Sequence, residues 1–186
     1  MSKLFAPVVA AVAVASNASA AVVVFDDFSL DMNSDPSAIV TQAPAVWGDP
    51  LGSSLDRVMQ GGNTGNISGG VWAPGFFDLL SYQSDAPGSG VDRTSYTGLY
   101  FDFVDAGSLF VSVGGSVLAT VNGMANERVF LDFASLSGVD ANDPDIVLIN
   151  NGFGTSLSGF GFQVVPAPGA AGVLGLAGVM AMRRRR

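Results

Sequence analysis

Between Ala21 and Val165 the apolar residues come in short runs, each closed by Gly, Pro, Asn, Asp or Ser, and none holds a helical period. A chain interrupted this often does not build long helices. It builds short strands joined by turns. Ala21 to Phe25 reads as an opening strand stopped by Asp26 and Asp27. Leu55 to Gln60, Val71-Trp72 and Phe76 to Tyr82 read as further strands, the last two split by Pro74-Gly75. Gly61 to Asn66 and Asp85 to Gly90 read as loops.

The second half is more regular. Leu99, Phe101 and Phe103 alternate with Tyr100, Asp102 and Val104, and Val129, Leu131 and Phe133 alternate again, the period of a strand with one apolar face. Leu109 to Val113 and Val117 to Val121 flank Gly114-Gly115, a pair able to supply the positive φ of a tight hairpin, with Ser116 extending the turn. Ile146 to Ile149 and Phe160 to Val165 complete about ten short strands with turns 8–12 residues apart. The expected fold is all-β: an antiparallel β-sandwich, jelly-roll-like in topology. An immunoglobulin-like sandwich and a short β-solenoid are the other arrangements, and no internal repeat selects the solenoid.

The two ends have a different texture. Lys3 gives a short positive region, Leu4 to Ala15 an apolar run, and Ala18-Ser19-Ala20 a small-x-small cleavage site, so residues 1–20 read as a signal peptide cut after Ala20. The other end is VVPAPGAAGVLGLAGVMAMRRRR: Pro166, Ala167 and Pro168, an apolar run from Gly169 to Met182, then Arg183, Arg184, Arg185 and Arg186. The prolines lack N–H donors and disfavour helix before them, which leaves the backbone there extended. The apolar run falls short of the roughly 20 residues of a full span. Arginines beside an apolar segment stay cytoplasmic, which places the main domain on the other side of the membrane.

This tail resembles the PEP-CTERM family of bacterial sorting signals, which pair a short Pro-Glu-Pro-like motif with an apolar helix and a terminal Arg cluster. Ala167 stands where that family has Glu, so the motif here is a Pro-Ala-Pro variant. The resemblance implies recognition and cutting by an exosortase, a membrane cysteine protease, and a role in envelope or biofilm material. Together with the residue readings it divides the chain into an expected signal peptide (1–20), a β-sandwich domain (21–163) and a sorting tail (164–186).

Composition narrows the chemistry. Between the two ends, sixteen acidic residues, all Asp except Glu127, face only Arg57, Arg93 and Arg128, a net charge of −13. That charge excludes nucleic acid as a partner and suits solubility outside the cell or binding of divalent cations. The absence of Cys excludes disulfides and thiol chemistry, and the absence of His removes the commonest general base and transition-metal ligand.

Three candidate sites follow. Asp31, Asn33 and Asp35 have the alternating oxygen spacing of a calcium loop, but Pro36 stands where a turn Gly is needed and Gln42 where a bidentate Glu is needed; Asp140, Asn142, Asp143 and Asp145 form a second oxygen-rich loop, broken by Pro144. Either could hold a structural Ca²⁺, with Asp26 or Asp27 contributing, or could cap its own turns. Trp47 and Trp72, with Tyr82, Tyr96 and Tyr100, could form a sugar-stacking platform or fill the core. Two carboxylates across a cleft could hydrolyse a glycoside, but neighbours such as Asp26 and Asp27 on a strand diverge.

The expectation is a non-enzymatic exported protein with no cofactor. Its tail holds it in the inner membrane, and processing delivers it to the cell surface or an extracellular polysaccharide matrix. A carbohydrate-binding module with structural calcium and an Asp-dependent glycoside hydrolase are the alternatives.

Overall fold

A computed structural model describes residues 21–33, 35, 38–60, 65–84, 86, 89–140, 142–152 and 154–164. The expected signal peptide and all but the first residue of the expected sorting tail, Val164, lie outside them.

The described residues form two antiparallel sheets face to face. The strands are β1 (Val22–Asp26), β2 (Met32–Asn33), β3 (Val40–Gln42), β4 (Asp56–Gln60), β5 (Asn66–Ser68), β6 (Val71–Ala73), β7 (Leu79–Gln83), β8 (Tyr96–Asp105), β9 (Gly107–Val113), β10 (Ala119–Gly123), β11 (Arg128–Asp132), β12 (Ile146–Asn150) and β13 (Ser156–Val164). The larger sheet runs β11-β8-β13-β6-β5-β2, with β1 also paired to β13; the smaller runs β10-β9-β12-β7-β4-β3. From β6 onward the chain changes sheet at every connection except the β9–β10 hairpin.

Alternation of apolar residues explains why two layers form. On β8, Leu99, Phe101 and Phe103 point inward, and Phe101 faces Val129 of β11 and Phe160 of β13. The smaller sheet answers with Met59, Leu80, Tyr82, Val111, Val113 and Leu148, all buried. Phe25 is the hub: its ring meets Trp47, Tyr82, Phe160 and Phe162 edge-on, with centroids 5.0–5.5 Å apart. Edge-to-face contacts of this kind add roughly 0.5–1.5 kcal/mol each to the burial of the rings.

The hairpin turn lies where the glycine pair puts it. Gly114 and Gly115 both have positive φ, at 56° and 64°, and the Ser116 hydroxyl accepts the Val113 amide, tying the turn to β9. One expected strand needs correction, and four short elements lie beyond the expectation. The strand expected from Phe76 begins only at Leu79, because Phe77 sits at φ 59° in an exposed turn. β2, β3 and β5 are too short to show a pattern in the sequence and exist because neighbouring edges pair with them. A single helical turn, α1 (Pro44–Trp47), follows β3, started by Pro44 and ended by Gly48 in the left-handed region.

β1 and β13 bring the two ends of the domain together. Val22 lies opposite Gln163, and the Val164 amide donates to the Ala21 carbonyl at 2.8 Å. Both ends leave from neighbouring positions at one end of the larger sheet.

Candidate functional site

The Asp26–Asp27 pair divides its work. Asp26 ends β1 inside the molecule. Its Oδ2 accepts from Arg57 Nη1 at 3.0 Å and from the Tyr82 hydroxyl at 2.6 Å, and its Oδ1 accepts the Phe28 amide at 2.7 Å. Arg57, fully buried, also donates to Gln42 Oε1 and to the Leu30 carbonyl. Burial pushes the Asp26 carboxyl above the usual carboxylate value, opposed by the Arg57 charge and the hydrogen bonds from Tyr82 and Phe28. The same burial, and the Asp26 charge, push the Tyr82 phenol well up. Asp27 points to the surface, where hydrogen bonds from Ser29 hold its carboxyl below the ordinary value. The two line a cleft of about 280 Å³ with Leu30, Trp47 and Pro50. Asp26 is committed to Arg57, Tyr82 and Phe28, so this pair is a cross-sheet tie rather than an acid and base facing a substrate.

The oxygen-rich loops are engaged largely by backbone amides. Asp31 Oδ1 accepts the Gly69 amide, Asn33 lies in β2 opposite Asn66, and the Asp35 carbonyl accepts from Ala38. In the second loop Asp140 Oδ1 accepts the Asn142 amide and Asp143 Oδ1 the Asp145 amide. The carbonyls of Asp140 and Asp143 both accept from Arg93 Nη2, so a guanidinium stands against two oxygens that a bound cation would otherwise use. Among the described residues no group of three or more Asp or Glu side chains is placed to hold a metal ion.

The aromatic platform expected from Trp47 and Trp72 is corrected by burial. Trp47 is 3% exposed and Trp72 0%. Trp47 is turned inward by α1 and donates its indole N–H to the Leu55 carbonyl at 2.8 Å; Trp72 faces Phe28 across the core. Tyr82 is the buried partner of Asp26, and Tyr96 lies against Phe162. None of these rings except that of Tyr96 has a face left for a ligand.

The outer face of the larger sheet holds a group that loop composition does not reveal. On β11, Val129 and Leu131 point in, so Arg128, Phe130 and Asp132 point out. Phe130 is 45% exposed and lies opposite Tyr100. Arg128 is fixed twice. Its Nε and Nη2 bind the two Asp102 oxygens at 2.6 and 2.7 Å, and its guanidinium carbon sits 4.3 Å from the centroid of the Tyr100 ring. The Asp102 contacts push the Arg128 pKa up further, and burial pushes the Tyr100 phenol up, partly offset by Arg128. A depression of about 440 Å³ beside this pair is lined by Asp102, Asn126, Glu127, Arg128 and Ser158. The signal was present in the sequence: an aromatic on the polar side of an alternating strand.

Among the described residues no helix is long and apolar enough to cross a membrane. Pro166, Ala167, Pro168, the apolar run and the four arginines, like Ala18 and Ala20, lie outside them. No protein-family model matches the chain, and no curated protein matches it.

Proposed function

We propose that this chain is an exported, non-enzymatic β-sandwich protein of the cell surface or the extracellular matrix. In this reading it is held in the inner membrane by its tail and released or transferred by an exosortase-type enzyme. The observation that carries it is the closure of the body between Val22 and Val164. The hydrophobic core runs from Phe25 to Phe162, and the two ends leave side by side. An address segment at either end can then be cut without breaking a described core contact. The alternation between sheets from β6 to β13, interrupted by one hairpin, supports a jelly-roll arrangement for the exported body.

The test is removal of residues 166–186 from the gene in a producing bacterium. The expected outcome is a folded protein released outside the inner membrane, starting at Ala21, with no membrane-held form. An insoluble or cytoplasmic product would count against the reading, because it would make the tail part of the fold.

A further inference from the structure

We propose that the outer face of the larger sheet, centred on Phe130 and Arg128, is a binding site for a neutral polysaccharide. This deepens the surface or matrix reading by naming the ligand class, and it rests on that reading only for where the ligand would be met.

Three features of the face fit a sugar chain. Phe130 offers an exposed ring on a flat sheet, and apolar ring faces suit the C–H faces of sugars. The row Phe130, Tyr100, Gly161, Val24 crosses four adjacent strands, β11, β8, β13 and β1; Tyr100 and Gly161 in its middle are buried, so its exposed apolar groups are Phe130 and Val24 at the two ends. At strand spacing that row is about 14 Å long, the reach of two to three sugar units. Between those ends Arg128 lies over the Tyr100 ring and presents its own guanidinium at the surface instead.

The polar equipment lies on one side of the row. Arg128 spends Nε and Nη2 on Asp102 and keeps Nη1 for a hydroxyl. Held by a bidentate ion pair and an aromatic face, it needs little further ordering to bind. Asn126 makes no side-chain hydrogen bond to the described residues, and Glu127 uses Oε2 on the Met124 amide, leaving Oε1. Amide, carboxylate and guanidinium groups together match a ligand that both donates and accepts.

Charge selects the neutral class. Arg128 is the only exposed basic residue among those described, since Arg57 is buried and Arg93 is engaged with the 140–143 loop. Its charge is already matched by Asp102, and Glu127 and Asp132 stand nearby. An anionic polysaccharide would meet net repulsion from this face and from the whole domain.

The experiment is a titration of the purified full chain with cellohexaose and laminarihexaose as neutral probes and a hexagalacturonate as the anionic one. Binding is read by calorimetry and by amide chemical shifts. The expected result is binding of at least one neutral probe with shifts at residues 126–130. F130A should weaken it at least tenfold, F130W should retain it, and the double variant F76A/F77A, at the other exposed aromatic pair, should leave it unchanged. Absence of binding by both neutral probes, tighter binding of the anionic probe, or binding insensitive to F130A would each overturn the proposal. None of those outcomes bears on export, which is read from the released product and its termini.

Discussion

Arg57 shows how a single residue ties two sheets. It sits on β4 of the smaller sheet and reaches Asp26 at the end of β1 in the larger. Removing one member of a buried ion pair leaves the other uncompensated, at about 3–5 kcal/mol. Arg57→Met should therefore destabilise by that amount in urea unfolding at pH 7. The sign with pH follows from Asp26. Its carboxyl already lies above the ordinary value when folded, and losing Arg57 raises it further. A carboxyl raised in the folded state contributes stability below its unfolded value, and that contribution is lost as pH rises through the folded value. The deficit of Arg57→Met should thus be smaller at pH 4 than at pH 7; an equal deficit at both would show that Asp26 does not titrate into the gap. The two tryptophans make a second residue-level test. Trp47 donates to the Leu55 carbonyl, whereas Trp72 Nε1 has no hydrogen-bond partner among the described residues. Trp47→Phe should cost about 1 kcal/mol more than Trp72→Phe beyond their shared loss of volume. Both should emit at short wavelength in the wild type, shielded from aqueous quenchers.

At the scale of elements, β13 is the strand on which the larger sheet turns, because it pairs with β8 on one side and with β1 and β6 on the other. Gly161 is the residue that permits this. A Cβ there would meet the Val23 carbonyl oxygen, the Phe25 amide nitrogen and the Tyr100 ring. Gly161→Ala should push β1 off the sheet at a cost of about 3 kcal/mol, with amide exchange accelerating first in Val22–Asp26. Unchanged exchange in β1 would refute that account. Elements of this kind differ in how far they can be read from sequence. β8 and β11 announce themselves by alternation, and the β9–β10 hairpin by its glycines. β2, β3 and β5 have only two or three residues each, so no period can appear; they exist through tertiary pairing. The choice between an aromatic platform and a filled core, which burial settles for the core, is illegible in sequence for a related reason. Sequence states that a ring is near a loop but not whether the loop folds over it, and α1 turns Trp47 inward. Phe130 was legible in principle, since the alternation that places Val129 and Leu131 inside places it outside.

For the whole molecule, the strand pairing that closes the fold also sets how it can be handled. The described core is complete between Phe25 and Phe162, and the chain enters and leaves at adjacent positions. A domain with this plan should tolerate cuts at both ends, as the proposed address segments would require. The acidic balance from Ala21 to Val165, sixteen carboxylates against three arginines, favours solubility and repels polyanions. The most direct measurement is the intact mass of the native protein purified from its producing cells. The account predicts a chain beginning at Ala21 and ending before Arg183, with or without an added group at the new terminus. A mass containing Met1 or Arg186 would contradict it.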